Sequence, residues 1–250
     1  MNFCVLTLFP ELFDTFFAHG MIKRALDKGL IQGTGINIRD FTHDRHHTVD
    51  DKPYGGGCGM VMKPEPLDEA LQAAKKQCPE SRIILMSPQG QPFDQQKAIE
   101  LSSREQGLVF ICGRYEGIDE RIYNLWVDEE ISIGDYVMTG GELAAMVIID
   151  AVARLIPGVL GKEESAQADS FIDERLEHAQ YTRPETFKGQ HVPEILLSGN
   201  HEKIRQWRED SALKRTFIKR PDLFEKMKPT AVEKQMLKQW CTELSRLAEQ

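Results

Sequence analysis

Through the first 155 residues, short apolar runs alternate with stretches of helical periodicity, and this alternation restricts the fold more than any other property of the chain. Phe3–Phe9, Ile36–Arg39, Arg82–Met86, Leu108–Cys112 and Val127–Ile131 read as strands. Met21–Lys28, Pro64–Gln77, Gln95–Ser103, Asp119–Leu125 and Glu142–Ile156 read as helices. This rhythm predicts an α/β fold: a mostly parallel sheet with helices on both faces, since each crossover carries the chain back over the sheet. Such sheets bind ligands at the carboxyl ends of their strands, which singles out the loops after Met86, Cys112 and Ile131. With 41% hydrophobic residues over 250, the chain has enough apolar material for a sizeable core.

The pattern changes after Pro157. "PGVLGKEESAQADSFIDERLEHAQ" is polar and lacks apolar periodicity, as a linker does. Asn200–Phe217 and Ala231–Ala248 read as helices, and Pro221 in "RPDL" suits a first helical turn. Beyond "YTRPETF" no further strand is predicted. The expected division is an α/β domain over 1–160, a linker over 161–177 and a small helical domain over 178–250.

Net charge is −8, unevenly spread. Residues 183–250 carry 14 Lys+Arg against 10 Asp+Glu, a balance of +4; taking these from 31 and 39 leaves 17 against 29, or −12. A basic segment on an acidic body suits a polyanionic partner, and equally ordinary surface variation.

Most familiar chemistries are absent. "GTG" (33–35) and "GGGCGM" (55–60) break dinucleotide-binding spacing, and "GVLGKEES" (158–165) is too short for a phosphate loop. There is no G-x-S-x-G, and "HEKIR" (201–205) lacks a zincin's second histidine. "HDRHH" (43–47) reads as a solvated or site-lining loop, because adjacent histidines seldom converge on one metal. The five scattered cysteines form no C-x-x-C pair, no apolar run reaches roughly 18 residues, and the amino terminus lacks an export signal's basic lead. A cytoplasmic, membrane-free protein is expected. What remains is "MSPQG" (86–90), "CGRYEGIDER" (112–121) and "SIGDYVMTGGE" (132–142), each with glycine that lets backbone approach a ligand closely. A backbone-lined site suits a purine edge without phosphate.

"YGGGCGM" (54–60), "SPQG" (87–90), "GRYEGIDER" (113–121), "EEISIGDYVMTGGELAAM" (129–146), "DAVARLIPGVLG" (150–161), "DSF" (169–171), "YTRPE" (181–185) and "LLSGNHEKIRQWR" (196–208) occur in that order. Together they closely resemble the bacterial tRNA (guanine-N1)-methyltransferases of the TrmD family. The resemblance implies a SPOUT-type α/β domain with a trefoil knot, whose loops hold S-adenosylmethionine. By position, the cofactor-binding residues are Ser87 and Pro88, then Gly113, Tyr115 and Glu116, then Ile133, Gly134, Asp135, Tyr136, Val137, Met138, Gly140 and Gly141.

The implied reaction is methylation of N1 of the guanosine immediately 3′ of the anticodon, position 37, where another guanosine precedes it. Asp169 matches the family's base, and Arg154 its partner for the guanine. On the residues alone, Arg154 equally suits an i,i+4 pair with Asp150, and Asp169 a solubilising charge. The family implies a homodimer with the active site shared between subunits. It also implies magnesium, for which no dedicated metal site is visible, so the ion is expected to be held partly by RNA. Lys203, Arg205, Arg208, Lys214, Arg215, Lys219 and Arg220 suit tRNA phosphates; Trp207 suits either a base stack or a helix core. Ala144 and Cys58 stand where the family usually has proline, and "ERLEHAQYTRP" departs from its usual linker ending. Two other readings are a knotted ribose 2′-O-methyltransferase and a non-catalytic tRNA-binding module.

Overall fold

The structure is a computed structural model that describes residues 1–103, 106–161 and 169–248. Its contacts divide the chain into two units, Met1–Ala166 and Gln167–Gln250. The first contains β1 (Asn2–Thr7), α1 (Pro10–Phe17), α2 (Gly20–Asp27), β2 (Gln32–Asn37), a 3-10 turn (Ile38–Phe41), β3 (Asp50–Asp51) and β4 (Val61–Met62). It continues with α3 (Pro64–Gln77), β5 (Arg82–Pro92), α4 (Gln95–Ser102), β6 (Leu108–Cys112), α5 (Glu120–Trp126), β7 (Glu129–Ser132) and α6 (Glu142–Ala153). The second contains β8 (Thr186–Phe187), β9 (Gln190–His191), α7 (Glu194–Leu197), α8 (His201–Lys219), α9 (Pro221–Lys226) and α10 (Ala231–Ala248).

Five strands form one sheet in the order β2-β1-β6-β5-β7. Every pairing in it is parallel, as the β-α-β rhythm predicts. Along each central strand, alternate side chains enter two cores. Phe3, Val5, Ile84, Leu108 and Phe110 join the buried faces of α1, α2, α4 and α6. Cys4, Leu6, Ile83, Val109 and Ile111 join α3 and α5. Apolar residues on both faces make these strands continuous hydrophobic runs, and each large buried side chain contributes roughly 1.5–3 kcal/mol.

Two elements differ from expectation. The amino-terminal strand stops at Thr7, and Pro10 opens a helix that the sequence pattern did not separate from it. β2 begins at Gln32, four residues before the predicted Ile36, because its polar, glycine-containing start packs through its neighbours. A Cβ at Gly33 would lie 2.6 Å from the Phe17 ring, and one at Gly35 would lie 3.3 Å from Pro10 Cβ. The two glycines seat α1 on the edge strand.

In the second unit, α8 is capped by Asn200, whose side chain accepts from Lys203 N at 3.1 Å. Residues 162–168 of the expected linker lie outside the described residues. The remainder, read as linker through 177, is tied to this unit's helices. Leu176 N donates to Thr216 Oγ1 at 3.0 Å, and the Arg175 guanidinium pairs with buried Glu233. Past it, Ala179 N donates to Ser211 Oγ at 3.1 Å. β8 and β9 form a short hairpin, unseen in the sequence because each strand has two residues. Lys188 and Gly189 supply the two positive φ angles (49° and 78°) that its tight turn needs.

Candidate active site

β6 pairs on one side of β5 and β7 on the other, so the three suspected loops leave from adjacent strands. The first, residues 87–90, is a bulge: Met86 and Gln91 both pair with Ile131, and the chain between them loops out. Gly90 closes it. A Cβ there would lie 2.4 Å from Ile131 N and 2.5 Å from Glu130 C, so the bulge rests directly on β7 backbone.

The second loop turns through Tyr115 (φ 59°) and Gly117 (φ 121°). Residues 60–62 hold it from outside. Glu116 N donates to Met60 O, Met62 N to Gly117 O, and Asp119 N to Met62 O, at 2.9–3.1 Å. The glycine turn before Met60 therefore supports this loop. Gly59 (φ +85°) lies under the Glu116 side chain, whose Oε1 would stand 2.2 Å from an added Cβ.

The third loop is folded onto the second. Gly141 N donates to Gly113 O at 3.0 Å, and Arg114 and Gly140 form an antiparallel bridge. A Cβ on Gly141 would lie 2.9 Å from both Cys112 Cα and Met86 Cβ, so glycine brings the start of α6 against two strand ends. Helix α6 has no side-chain cap, which leaves its first amides available at its positive end. Tyr136 folds over Gly134, with its hydroxyl donating to Ile133 O at 3.3 Å.

The three loops enclose a cavity of about 590 Å³. Ser87, Pro88, Gly113, Tyr115, Glu116, Ile133, Gly134, Tyr136, Val137, Met138, Gly140 and Gly141 all line it. Asp135, assigned with them by motif position, is exposed and outside the lining.

Beneath the loops lies an ion pair that sequence reasoning missed. Glu142, 2% exposed, accepts from Thr7 Oγ1 at 2.9 Å and Arg114 Nε at 3.2 Å. Its other oxygen stands 3.0 Å from Arg114 Nη2. Arg114 Nη1 donates to Thr139 O at 3.1 Å, and the guanidinium lies 4.6 Å from the Phe9 ring centroid. One carboxylate thus fastens the end of β1 to the second and third loops. A glutamate opening a helix and followed by an unbroken apolar run, "GGELAAMVII", was the available signal. Removing one partner of a buried pair typically costs 3–5 kcal/mol. Glu142→Ala is expected to lose about that much in urea unfolding; a loss under 1 kcal/mol would show that the pair does not anchor the loops.

The residues assigned to catalysis are not in this wall. Arg154 caps the far end of α6, roughly 20 Å along the helix from Gly141 at 1.5 Å per residue. It shares an outward stripe with Leu143, Val147 and Asp150, spaced four, three and four residues apart. Asp169 is half-buried in the second unit, just before a turn closed by Phe171 N donating to Arg175 O at 2.8 Å.

Of the seven cations expected to face phosphate, three are engaged in their own unit: Arg205 with Glu209, Lys214 with Asp210 and Arg220 with Asp222. Trp207 is half-buried between His178 and Tyr181. "HDRHH" is a self-capped turn. Asp44 accepts from His46 N, Thr48 N and Thr48 Oγ1, and chiefly the Thr48 bonds lower its pKa to about 2. Among the described residues, no three His, Cys, Asp or Glu side chains are grouped to hold a metal ion, and no helix is long and apolar enough to cross a membrane.

A parallel sheet whose adjacent strand-end loops close a cavity lined by several glycines defines an α/β ligand-binding protein of the class that seats small molecules at carboxyl strand ends. A family model described as tRNA (Guanine-1)-methyltransferase TrmD matches residues 1–226. The tRNA (guanine-N(1)-)-methyltransferase of Citrifermentans bemidjiense is 57% identical over 225 residues, 90% of this chain and 90% of the relative. That of Carboxydothermus hydrogenoformans is 56% identical over 250 residues, 100% of this chain and 98% of the relative. The chain belongs to the tRNA (guanine-1)-methyltransferase TrmD family.

Proposed function

We propose that the protein transfers the methyl group of S-adenosylmethionine to N1 of guanosine 37 in tRNAs where another guanosine precedes it. The carrying observation is the cavity made by three adjacent loops in a chain of this family. Its volume of about 590 Å³ suits a cofactor-sized ligand, and glycines in its lining such as Gly113, Gly140 and Gly141 leave main-chain groups open to a purine edge. S-adenosylmethionine supplies an electrophilic methyl group when bound there.

The remaining chemistry falls to side chains. N1 of guanine carries a proton at neutral pH, so its lone pair is not free. Asp169 takes that proton, and Arg154 donates to O6, where negative charge develops as the proton leaves. No covalent enzyme intermediate is needed.

Arg154 lies too far along α6 to serve its own chain's cavity, so we assign it to the cavity of a second copy. The stripe that carries it begins with Leu143 and Val147, which are 62% and 47% exposed, and an apolar stripe of this kind suits burial against a like subunit. A homodimer with shared active sites follows. We also read the loops as a SPOUT-type trefoil knot, since a tightly threaded chain needs backbone contacts as close as those at Gly90. Magnesium, where used, is read as shared with RNA phosphate, and the setting as cytoplasmic.

The test is methyl transfer from labelled S-adenosylmethionine to an unmodified tRNA transcript with two guanosines at the anticodon's 3′ border, beside a transcript with adenosine at position 37. Incorporation only into the first, mapped to the base by mass spectrometry, is expected. Methylated ribose would replace this reading with 2′-O-methylation. Cofactor binding without incorporation would leave a tRNA-binding module.

A further inference from the structure

The second unit has a cavity of its own, about 540 Å³, that no part of the reaction above uses. Helix α8 builds one wall. Ile204, Trp207 and Arg208 stand at i, i+3 and i+4, so an aliphatic group, an indole and a guanidinium share one face. The segment after the Ala179–Ser211 hydrogen bond adds Tyr181 and Arg183 to the lining. Tyr181 packs 6.1 Å from Trp207, centroid to centroid, yet remains 50% exposed.

The charges separate this wall from the rest of the unit. Arg183 and Arg208 are exposed, and among the described residues neither guanidinium has a hydrogen bond or ion pair. Arg205, Lys214 and Arg220 are each neutralised by a neighbouring acid. Exposed aromatic surface in one lining with two available arginines matches the chemistry of unpaired RNA, in which splayed bases stack on aromatic rings and flanking phosphates meet cations. A free phosphate fits less well, because the Glu185 carboxylate shares the lining; for a base, the same carboxylate is an acceptor for ring or exocyclic N–H groups.

We propose that this cavity receives one unpaired nucleobase of the tRNA, stacked on Tyr181 beside Trp207, with Arg183 and Arg208 on its flanking phosphates. The proposal rests on the reading that tRNA is the substrate. It adds an anchoring site separate from the cofactor cavity, and so predicts effects on tRNA binding and none on cofactor binding.

The experiment measures binding of the unmodified tRNA transcript to the full-length protein over a series of salt concentrations, for wild type, Tyr181→Leu, Tyr181→Phe, Arg183→Gln and Arg208→Gln. Losing one base stack is expected to weaken binding by roughly five- to a hundredfold in Tyr181→Leu, with the salt slope unchanged. Tyr181→Phe keeps the ring and is expected to bind as wild type. Each arginine variant is expected to reduce the log–log salt slope by about 0.7–1, the signature of one lost phosphate contact. For all four, S-adenosylmethionine affinity and kcat at saturating tRNA stay at the wild-type value while KM for tRNA rises in the three weakened variants. Wild-type affinity in Tyr181→Leu, or equal weakening in Tyr181→Phe, would overturn the base-stacking assignment. Unchanged salt slopes in both arginine variants would overturn the phosphate contacts. Wild-type protein that binds no tRNA would defeat the functional reading itself, a distinguishable outcome.

Discussion

Asp169→Ala is expected to lower methyl transfer by about 10²–10⁴-fold, the usual contribution of a positioned general base, while S-adenosylmethionine affinity stays near wild type. The two effects separate because the residues involved are separate. Asp169 lies in the second unit, whereas every residue lining the proposed cofactor cavity falls between Leu85 and Ala144 of the first. Losing the carboxylate therefore disturbs no wall of that cavity. On the proposed mechanism, the deprotonation step loses its acceptor, and the guanine N1 lone pair stays occupied by its proton. Single-turnover rates and calorimetric cofactor binding on the same preparation decide the matter. Turnover within tenfold of wild type would remove Asp169 as the base. Parallel loss of cofactor affinity would recast it as structural.

Gly90→Ala is expected to abolish measurable cofactor binding and lower the melting temperature, although it adds a single methyl group. At Gly90 the atoms closest to an added Cβ are backbone of β7, at 2.4, 2.5 and 2.6 Å. No rotamer change relieves such a clash, so β5 and β7 must separate at the point where the first and third loops leave them. Overpacking of this kind typically costs 1–3 kcal/mol. Gly57 is the control: its φ of +127° is strained for alanine, but a Cβ there meets nothing within 4 Å. Gly57→Ala is expected to retain cofactor affinity. Thermal melts with and without S-adenosylmethionine compare the two; a ligand-induced rise in Gly90→Ala equal to that of wild type would show that the bulge does not shape the cavity.

Much of the first unit was legible because parallel strands buried on both faces are written as unbroken apolar runs. Leu108–Cys112 is such a run, and its bounds agree with the strand observed. β2 was placed only in part, since its early positions are chosen to receive Phe17 and Pro10, residues at least 16 positions away in sequence. The glycine content of the three loops was visible, but what each glycine does was not. Gly90, Gly117 and Gly141 look alike in sequence, yet the first abuts a strand, the second takes a positive φ and the third seats a helix start.

The Thr7–Glu142 bond joins residues 135 positions apart, and no local pattern announces it. The basic balance of residues 183–250 was likewise a sum over side chains, whereas binding depends on which cations remain unpaired. Pairing depends on helical neighbours, as at Lys214 and Asp210.

By itself, then, the sequence determined the alternation of elements, the parallel sheet, the family and the three loops, because periodicity and motif are properties of neighbouring residues. Tertiary structure alone decided that those loops leave adjacent strands, that Glu142 ties two of them together, and that Tyr181, Arg183 and Arg208 surround one cavity. Each of these is a distance between residues far apart in the chain, set by which surfaces bury one another.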